Sequence, residues 1–325
     1  MVNLLKKYWF LLGLLIVFIL TLKDSTETIA RTGLFLKAHH GADIAIVLIF
    51  FIYGLTTHAS ELKSGINDIQ GLGIGLFNIF IIAPVIAAVF MVLPLPEGLI
   101  IGIFIVSVMP TTLSSGVVMT GAAGGNIAHA LLITLTANIL SVFTIPVILA
   151  FLLSLYKDAV SVNIDKLAIM IKIGLLVVLP LIAGLGVKKW VNKLIETAGN
   201  FIQQLNQLFV IAIVWMSLSQ TKPVILGNMD MVPRVFLAVL VFHVMLLLSA
   251  FLLTRLFKIP SGRRESVIFM GSQKTLPLSV IIQVTLFPQY GMALIVCVLH
   301  HIVHLFIDSY LVGKLKRDSS VPLHG

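Results

Sequence analysis

Two clusters of polar residues interrupt hydrophobic segments, one in each half of the chain. The first is the run MPTTLSSG, from Met109 to Gly116, and the second is GSQKTLPLS, from Gly271 to Ser279. In lipid an unpaired backbone group costs several kcal/mol, so irregular chain survives there only where protein buries it or where it lines a cavity. A matched pair of interrupted helices is the best sequence indication of a secondary transporter's binding site.

The first interruption offers oxygen ligands. Pro110 removes a backbone donor and disfavours helix just before it. Unwound carbonyl groups and the hydroxyl groups of Thr112, Ser114 and Ser115 suit a dehydrated alkali cation, and the helix that starts beyond them offers a positive dipole end to an anion. The alternative is a proline kink whose hydroxyl groups bond within their own helix. Because a second interruption of the same kind is present, we favour a functional site over a structural kink.

The second interruption carries Gln273, Lys274 and Thr275. A lysine near the bilayer centre costs at least about 2.5 kcal/mol, so Lys274 needs a partner. Asp308, the carbonyl groups of the break and a bound anion are the candidates, and a purely structural Lys274–Asp308 ion pair is the alternative. We expect the substrate to contact six residues: Thr112, Ser114, Ser115, Gln273, Lys274 and Thr275.

A third group of polar residues lies near the C-terminus. His300, His304 and Asp308 are spaced to share one helical face, which would suit a proton relay or a metal site. The simpler reading, which we put first, is histidines bonded across helices, and we interpret His129 and His243 as isolated structural residues. The predicted ion-binding or coupling residues are Asn78, Ser115, Thr134, Asn138, Gln273, Lys274, His300, His304 and Asp308.

The composition requires a membrane setting for these residues. The 325 residues are 59% hydrophobic and only 11% charged, with a mean hydropathy of +1.10, whereas soluble domains carry about 25% charged residues. The apolar runs approach the roughly 20 residues that cross a bilayer. A single cysteine, Cys297, excludes an intramolecular disulfide and any multi-cysteine metal site.

We predict an all-α polytopic membrane protein with ten transmembrane helices. An odd number of spans in each half makes the second half, residues 164–315, an inverted repeat of residues 1–155, with broken helices four and nine crossing each other. The predicted spans are Tyr8 to Leu22, Ala42 to Thr57, Ile69 to Leu93, Glu97 to Ala122, Asn126 to Leu155, Ile164 to Val187, Phe201 to Leu218, Met231 to Phe257, Arg264 to Phe287 and Tyr290 to Leu315.

The basic residues set the predicted orientation. Lys and Arg residues are more frequent in the loops on the side that holds the N-terminus, which predicts both termini in the cytoplasm and a place in the cell inner (cytoplasmic) membrane. The net charge of +9 follows this topology. No basic patch interleaved with aromatic residues indicates nucleic acid, so we expect no nucleic-acid partner.

Around the two interruptions the chain resembles the bile acid:sodium symporter family, within it the sodium/bile acid cotransporter 7-like branch. The stretch from Met109 to Pro146 occupies the place of the family's S-P-G-G-T-A-S-N segment and the following helix, and GSQKTLPLS that of its E-x-G-x-Q-N segment. The resemblance implies a panel of spans 1, 2, 6 and 7 and a core of spans 3–5 and 8–10, with transport by movement of the core against the panel.

The resemblance also carries over part of the family's sodium-ligand set. Ser115 matches the serine of its S-N pair, Thr134 a liganding threonine and Gln273 the glutamine. Asn78 lies within one residue of a glutamine position.

Four positions depart from the family pattern. Gly116 replaces the asparagine of the S-N pair, Ala130 replaces a serine, Phe269 stands where the shared glutamate should be, and Lys274 replaces an asparagine. Loss of the carboxylate removes most of the charge that would hold two sodium ions, and an ammonium group nearby repels cations. Our hypothesis is that Lys274 stands in for one bound cation, with coupling to protons, to one sodium ion or to none.

The function predicted from the sequence is secondary active transport of an amphipathic organic anion across a lipid bilayer, without enzymatic activity. We expect no cofactor; Na⁺ and H⁺ are both open as the coupling ion, and the oligomeric state is open. One rival is a regulatory or lipid-handling membrane protein on the same fold without ion coupling. Another, less favoured, is an intramembrane metal enzyme that uses His300, His304 and Asp308.

Overall fold

The computed structural model describes residues 2–56, 68–112, 115–156, 166–227 and 229–318. This part of the chain is helical and contains no β-strand. In chain order the helices are α1 (Val2–Lys23), α2 (Thr28–Ala38), α3 (Gly41–Thr56), α4 (Ile69–Val92), α5 (Glu97–Val108), α6 (Ser115–Ala122), α7 (Ile127–Leu155), α8 (166–226), α9 (Val232–Leu256), α10 (Arg263–Ser272), α11 (Leu276–Leu286) and α12 (Gly291–Asp318).

Seven stretches of the described residues are long and apolar enough to cross a membrane. They are Ile69–Val92 (α4), Ile127–Leu155 (α7), Leu167–Val191 and Thr197–Pro223 (both in α8), Met229–Leu256 (which includes α9), Arg263–Leu286 (α10 and α11) and Gly291–Leu315 (in α12). An eighth results if α2 and α3, which meet at 70°, form one bent span. The apolar part of α1, Leu12–Lys23, and α5 are shorter. The protein is therefore a multi-span, all-helical membrane protein.

Helix α2 lies where the sequence predicted only a connection. The side chain of Asp24 accepts hydrogen bonds from the amides of Ile29 (2.7 Å) and Ala30 (3.3 Å), two of the donors that a helix N-terminus leaves unpaired. Lys222 of α8 donates to the Asp24 carbonyl at 2.6 Å, which fastens the start of α2 to the bundle. Such a cap was not read from the sequence because Asp24 lies four residues before the helix.

Helix α8 contains two membrane-length stretches, Leu167–Val191 and Thr197–Pro223. Lys172 and Met216 both contact the first turns of α3: Lys172 Nζ lies 4.0 Å from Asp43, and a Cβ on Gly41 would be 3.0 Å from the Met216 sulfur. In a straight helix Lys172 and Met216 would be about 66 Å apart. The two stretches therefore fold back on each other around α3, although helical hydrogen bonding continues between them.

The closest helix crossing joins α3 to the first stretch of α8. A Cβ on Gly54 would lie 2.2 Å from the Leu181 carbonyl oxygen, and one on Gly184 would lie 2.2 Å from the Phe51 oxygen. Backbones that approach this closely are typical of small-residue crossings in membranes. The crossing makes α3 and α8 one packed unit beside the remaining helices.

Both predicted interruptions are present. Helix α5 ends at Val108 and α6 starts at Ser115, while α10 ends at Ser272 and α11 starts at Leu276. The residue that follows each first half-helix is extended: Met109 has ψ 147°, and Gln273 has ψ 148°. Every residue from Glu265 to Val284 is buried. The second interruption consequently lies inside the bundle, where protein surrounds it.

Candidate functional site

The two interruptions meet in the centre of the bundle. The amide of Thr275 donates to the carbonyl oxygen of Pro110 at 3.0 Å, so a backbone hydrogen bond joins one break to the other. Met109, Thr112, Gln273 and Lys274 are buried, and Ser115 is partly buried. The contact shows that the two breaks meet, and it pairs backbone groups that an isolated break would leave unsatisfied.

Gln273 connects the side chains of the two breaks. Its Oε1 accepts from the hydroxyl groups of Thr112 (2.8 Å) and Ser115 (3.1 Å), and Ser115 also donates to Thr112 at 3.0 Å. The Gly116 amide donates to Thr112 Oγ1 at 3.1 Å. A Cβ at Gly116 would lie 2.7 Å from the Met270 sulfur and 3.0 Å from Gln273 Oε1. Glycine is thus the residue that lets α6 approach the second break.

Lys274 lies in a cage of backbone oxygens. Its Nζ donates to the carbonyl oxygens of Ile79 (2.8 Å), Ser107 (2.8 Å) and Met109 (2.9 Å), and the residue is 1% exposed. An ammonium group has three N–H donors, so all three are used. Of the partners considered from the sequence, the break carbonyls are the ones present. The alternative Lys274–Asp308 ion pair does not form.

Asn78 ties α4 to the second break. It begins a π-helical segment, Asn78–Ile82, inside α4, and such single turns re-aim side chains and free backbone carbonyls. Its Nδ2 donates to the Gly271 carbonyl at 3.0 Å, and its Oδ1 accepts from Ser249 of α9 at 2.8 Å. Ile79, whose carbonyl receives Lys274, is the next residue. This one irregular turn therefore positions both the Asn78 side chain that bonds to Gly271 and the Ile79 carbonyl that accepts from Lys274.

Asp308 is the buried carboxylate beside this site. Its Oδ2 accepts from Gln273 Nε2 at 2.7 Å, its Oδ1 lies 3.1 Å from His243 Nε2, and His304 Nδ1 lies 4.0 Å from Oδ2. The His243 contact has the length of a hydrogen bond, and the tautomer with its hydrogen on Nε2 donates to the carboxylate. The prediction that His243 is isolated was wrong: α9 brings it against α12, 65 residues further along the chain.

The remaining histidines of α12 extend this group. His304 Nε2 and His301 Nδ1 share a hydrogen bond of 2.9 Å, and the His300 ring lies 5.5 Å from the rings of both His243 and His304. His301 packs edge-on against Phe10 of α1 at 5.8 Å. The predicted shared face of His300, His304 and Asp308 is thus part of a larger cluster. Across the described residues no three His, Cys, Asp or Glu side chains are grouped as a metal ion requires.

Two predicted ligands bond within their own helix instead. Thr134 Oγ1 donates to the Ala130 carbonyl at 2.9 Å, and Asn138 Nδ2 donates to the Thr134 carbonyl at 2.8 Å, all in α7. Asn138 Oδ1 is buried without a hydrogen-bond partner. Ser114 lies outside the described residues. Thr275 contributes its backbone amide to the crossing.

His129 was also wrongly read as isolated. Its Nδ1 lies 2.5 Å from the Ser266 hydroxyl group and its Nε2 lies 3.6 Å from Asp68, which stands 3.6 Å from Arg263. Asp68 caps α4 through the Gly71 amide at 3.0 Å. These contacts hold together the starting turns of α4, α7 and α10. Asp68 before an apolar run was the sequence signal that could have indicated a cap.

Comparison with known sequences identifies the group to which this architecture belongs. The sequence pattern of the SBF-like CPA transporter family matches residues 8–317. The chain belongs to this family. Its named relatives are cotransporters, so the site is that of a transporter family and not of an enzyme.

Three relatives illustrate the range of the similarity. The chain is 31% identical over 291 residues to the "Probable sodium/metabolite cotransporter BASS4, chloroplastic" of Arabidopsis thaliana, covering 83% of this chain and 64% of the plant protein. It is 26% identical over 329 residues to "Sodium/bile acid cotransporter 7-B" of Xenopus laevis, covering 96% and 92%. It is 21% identical over 286 residues to the "Putative symporter YfeH" of Escherichia coli, covering 85% and 84%. The chain thus spans just under two thirds of the plant relative and nearly all of the amphibian one.

Proposed function

We propose that this member of the family is a secondary active transporter of an amphipathic organic anion. Its ten spans form two inverted repeats, residues 1–155 and 164–315, in the cytoplasmic membrane with both termini in the cytoplasm. Spans 1, 2, 6 and 7 are the panel, and spans 3–5 and 8–10 are the core that moves against it. The names of the cotransporter relatives support transport of a solute with an ion.

The observation that carries this proposal is the hydrogen-bonded crossing of the two interrupted helices. Irregular backbone is expensive inside a membrane and is kept where it serves a binding site. Thr112, Ser115 and Gln273 converge there on one amide oxygen, at 2.8 and 3.1 Å. We therefore place the central solute site at this crossing, with Ser114 and Thr275 beside it.

The charge around the crossing supports an anionic solute. Helix α11 starts at Leu276 inside the bundle, and its first amides have no partner within the helix, so its N-terminus carries a partial positive charge. Lys274, two residues before Leu276, adds a positive charge. A cleft between α3, α8 and α11, with Lys172 and Thr285 in its lining, offers apolar surface to the hydrophobic body of the solute.

The cage around Lys274 bears on the coupling ion. Three carbonyl oxygens at 2.8–2.9 Å are the ligands expected around an alkali cation, and here they surround an ammonium group. Phe269, at the position of the family's glutamate, is completely buried and brings no charge. We propose that Lys274 takes the place of one bound cation. Coupling then uses protons, one sodium ion or no ion.

The test is solute uptake and binding with and without sodium. A thermal-shift screen of organic anions on the purified protein selects the solute, because a true ligand stabilises the folded state by mass action. Uptake of that solute into proteoliposomes is then measured in sodium and in choline buffer, for the wild type and for Lys274→Ala. Strong sodium dependence that is lost in Ser115→Ala and Thr134→Ala, with Lys274→Ala unaffected, would contradict our reading of Lys274.

The second candidate function is regulation or lipid handling on the same fold, without ion coupling. The observation that favours it is Phe269, because the charge that would bind sodium at this position is missing. It predicts a lipid that copurifies with the protein and an absence of solute uptake into vesicles. Uptake of any anion in the screen would exclude it.

A further inference from the structure

The histidine cluster next to the crossing has no assigned role in the proposed transport function. Five titratable residues, His243 of α9 and His300, His301, His304 and Asp308 of α12, form one buried group, and none is more than 7% exposed. Asp308 joins this group directly to Gln273 at 2.7 Å, and Gln273 joins it to Thr112 at 2.8 Å. A change of charge at Asp308 is therefore one hydrogen bond away from the crossing.

The cluster has open positions for a proton. Three buried ring nitrogens of the cluster, His243 Nδ1, His300 Nε2 and His304 Nδ1, make no hydrogen bond. His243 Nε2 already holds a hydrogen towards Asp308, so in the neutral ring Nδ1 carries a free lone pair. A proton that binds to this lone pair turns the ring into an imidazolium that directly contacts a carboxylate, which is the charge pairing that a buried site requires.

Charge balance determines what the cluster can hold. Lys274 carries one positive charge and Asp308 one negative charge, separated by the side chain of the intervening Gln273. The titratable and charged groups facing Asp308 are His243 from α9, the three histidines of α12, and Lys274 from the break, whose charge also acts on His300. Helices α5 and α6 contribute hydroxyl groups, and α1 contributes Phe10. With neutral histidines the region has no net charge.

We propose that H⁺ is the coupling ion and that the His243–Asp308 pair is its binding site. The proton adds to His243 Nδ1, no other bond changes, and the region gains one positive charge. An isolated charge buried in the protein is costly, so a monovalent anion at the neighbouring crossing restores neutrality. This assignment rests on the transport function proposed above, because it names the ion that would drive that transport.

The position of His301 gives the proton an effect outside the core. His301 shares a hydrogen bond with His304 and packs against Phe10 of α1, which we assign to the panel. The His243 and His304 rings lie 5.9 Å apart, centre to centre, so a positive charge on His243 acts electrostatically on the His304–His301 pair. The protonation state of the cluster therefore affects the contact between core and panel. A coupling ion has to favour one arrangement of these two parts over the other.

The test measures charge displacement in the absence of any solute. Proteoliposomes on a solid-supported membrane receive a step from pH 7.5 to pH 5.5 in sodium-free buffer, or a step from choline chloride to sodium chloride at constant pH. We expect a transient charge displacement after the pH step and less than a tenth of it after the sodium step. Asp308→Asn and His243→Gln should each reduce the pH response at least fivefold.

Controls separate a lost site from a lost fold. Gln at position 243 keeps a donor for Asp308 but cannot take up a proton, and a monodisperse elution profile shows that each variant is folded. His39→Gln, in which an exposed histidine at the end of α2 is changed, should leave the response intact. A sodium response as large as that to pH, no pH response at all, or full pH responses in both folded variants would overturn the proposal. A pH response without uptake of any anion would instead refute the transport function.

Discussion

Replacement of Lys274 by methionine tests the central feature of the site. Methionine fills a similar volume but cannot donate, so the carbonyl oxygens of Ile79, Ser107 and Met109 lose their shared donor. Each buried acceptor left without a partner costs about 1–3 kcal/mol, or about 3–9 kcal/mol for the three. Relief from burying an ammonium group offsets several kcal/mol of this. We expect a net loss of about 3 kcal/mol in the free energy of unfolding.

The assay is reversible unfolding in mixed micelles, with Lys172→Met as the matched control. Lys172 lies on α8, its side chain is 37% exposed, and it bonds to the Thr285 hydroxyl group at 3.2 Å with Asp43 4.0 Å away. Exposed pairs of this kind contribute about 0–1 kcal/mol. The structure therefore predicts a clear difference between two lysine-to-methionine changes in the same membrane protein.

Replacement of Lys274 by alanine tests the proposal that this lysine takes the place of one bound cation. In Lys274→Ala the three carbonyl oxygens surround an empty space, and an alkali cation that entered it would restore the lost stability. The gain follows mass action and reaches about 2.7 kcal/mol at a concentration 100 times the Kd. We expect sodium or potassium chloride to stabilise Lys274→Ala more than choline chloride does. Equal stability of Lys274→Met and the wild type would refute the reasoning that this ammonium group holds the breaks together.

Three further predictions concern other parts of the molecule. Gly54→Leu should cost about 3 kcal/mol or more, since its Cβ would meet the Leu181 carbonyl at 2.2 Å, whereas Gly73→Leu, with nothing within 4 Å, should unfold at nearly the wild-type temperature. Thr112→Val should abolish solute uptake, whereas Thr134→Val, which loses one bond within α7, should retain it; the reverse result would move the site to α7. The hydrogen bond from the Thr26 hydroxyl group is the main cause that lowers the pKa of Asp24 below 3.8, so its capping contribution is present above that pH and is lost as pH falls through the lower folded-state pKa. The protection of the Ile29 and Ala30 amides against hydrogen exchange, relative to the intrinsic rate at each pH, should fall there, and Asp24→Asn should remove this pH dependence.

The sequence alone predicted the two breaks because proline, glycine and hydroxyl residues leave a local signature in apolar runs. It also predicted that the breaks meet, since a paired interruption would otherwise leave backbone groups unsatisfied in lipid. It could not predict the partners of Lys274. One acceptor, Met109, lies in the first break and another, Ser107, lies in the last turn of α5 before it. The third, Ile79, depends on a π-helical turn that has no reliable residue signature.

The histidine cluster escaped prediction for a related reason. The spacing of His300, His304 and Asp308 follows from one helix, and periodicity reveals it. Contact of His243 with Asp308 depends on how α9 packs against α12, which a single sequence does not encode in any local pattern. For the same reason Thr134 looked available as a ligand, although within α7 the carbonyl of Ala130 already takes its hydroxyl hydrogen.

Gln273 and Lys274, which are adjacent at the second break, bond to different parts of the bundle. Lys274 turns towards the first break and α4, where backbone oxygens take its charge, while Gln273 turns towards α12 and links Asp308 to the hydroxyl groups of α5–α6. The partners of Lys274 and those of Gln273 thus lie on opposite sides of one short extended segment. Since the lysine has no free donor, a change of charge at this crossing has to come from the Asp308 side. That asymmetry is why we assign ion coupling to the histidine cluster and structural support of the breaks to the lysine.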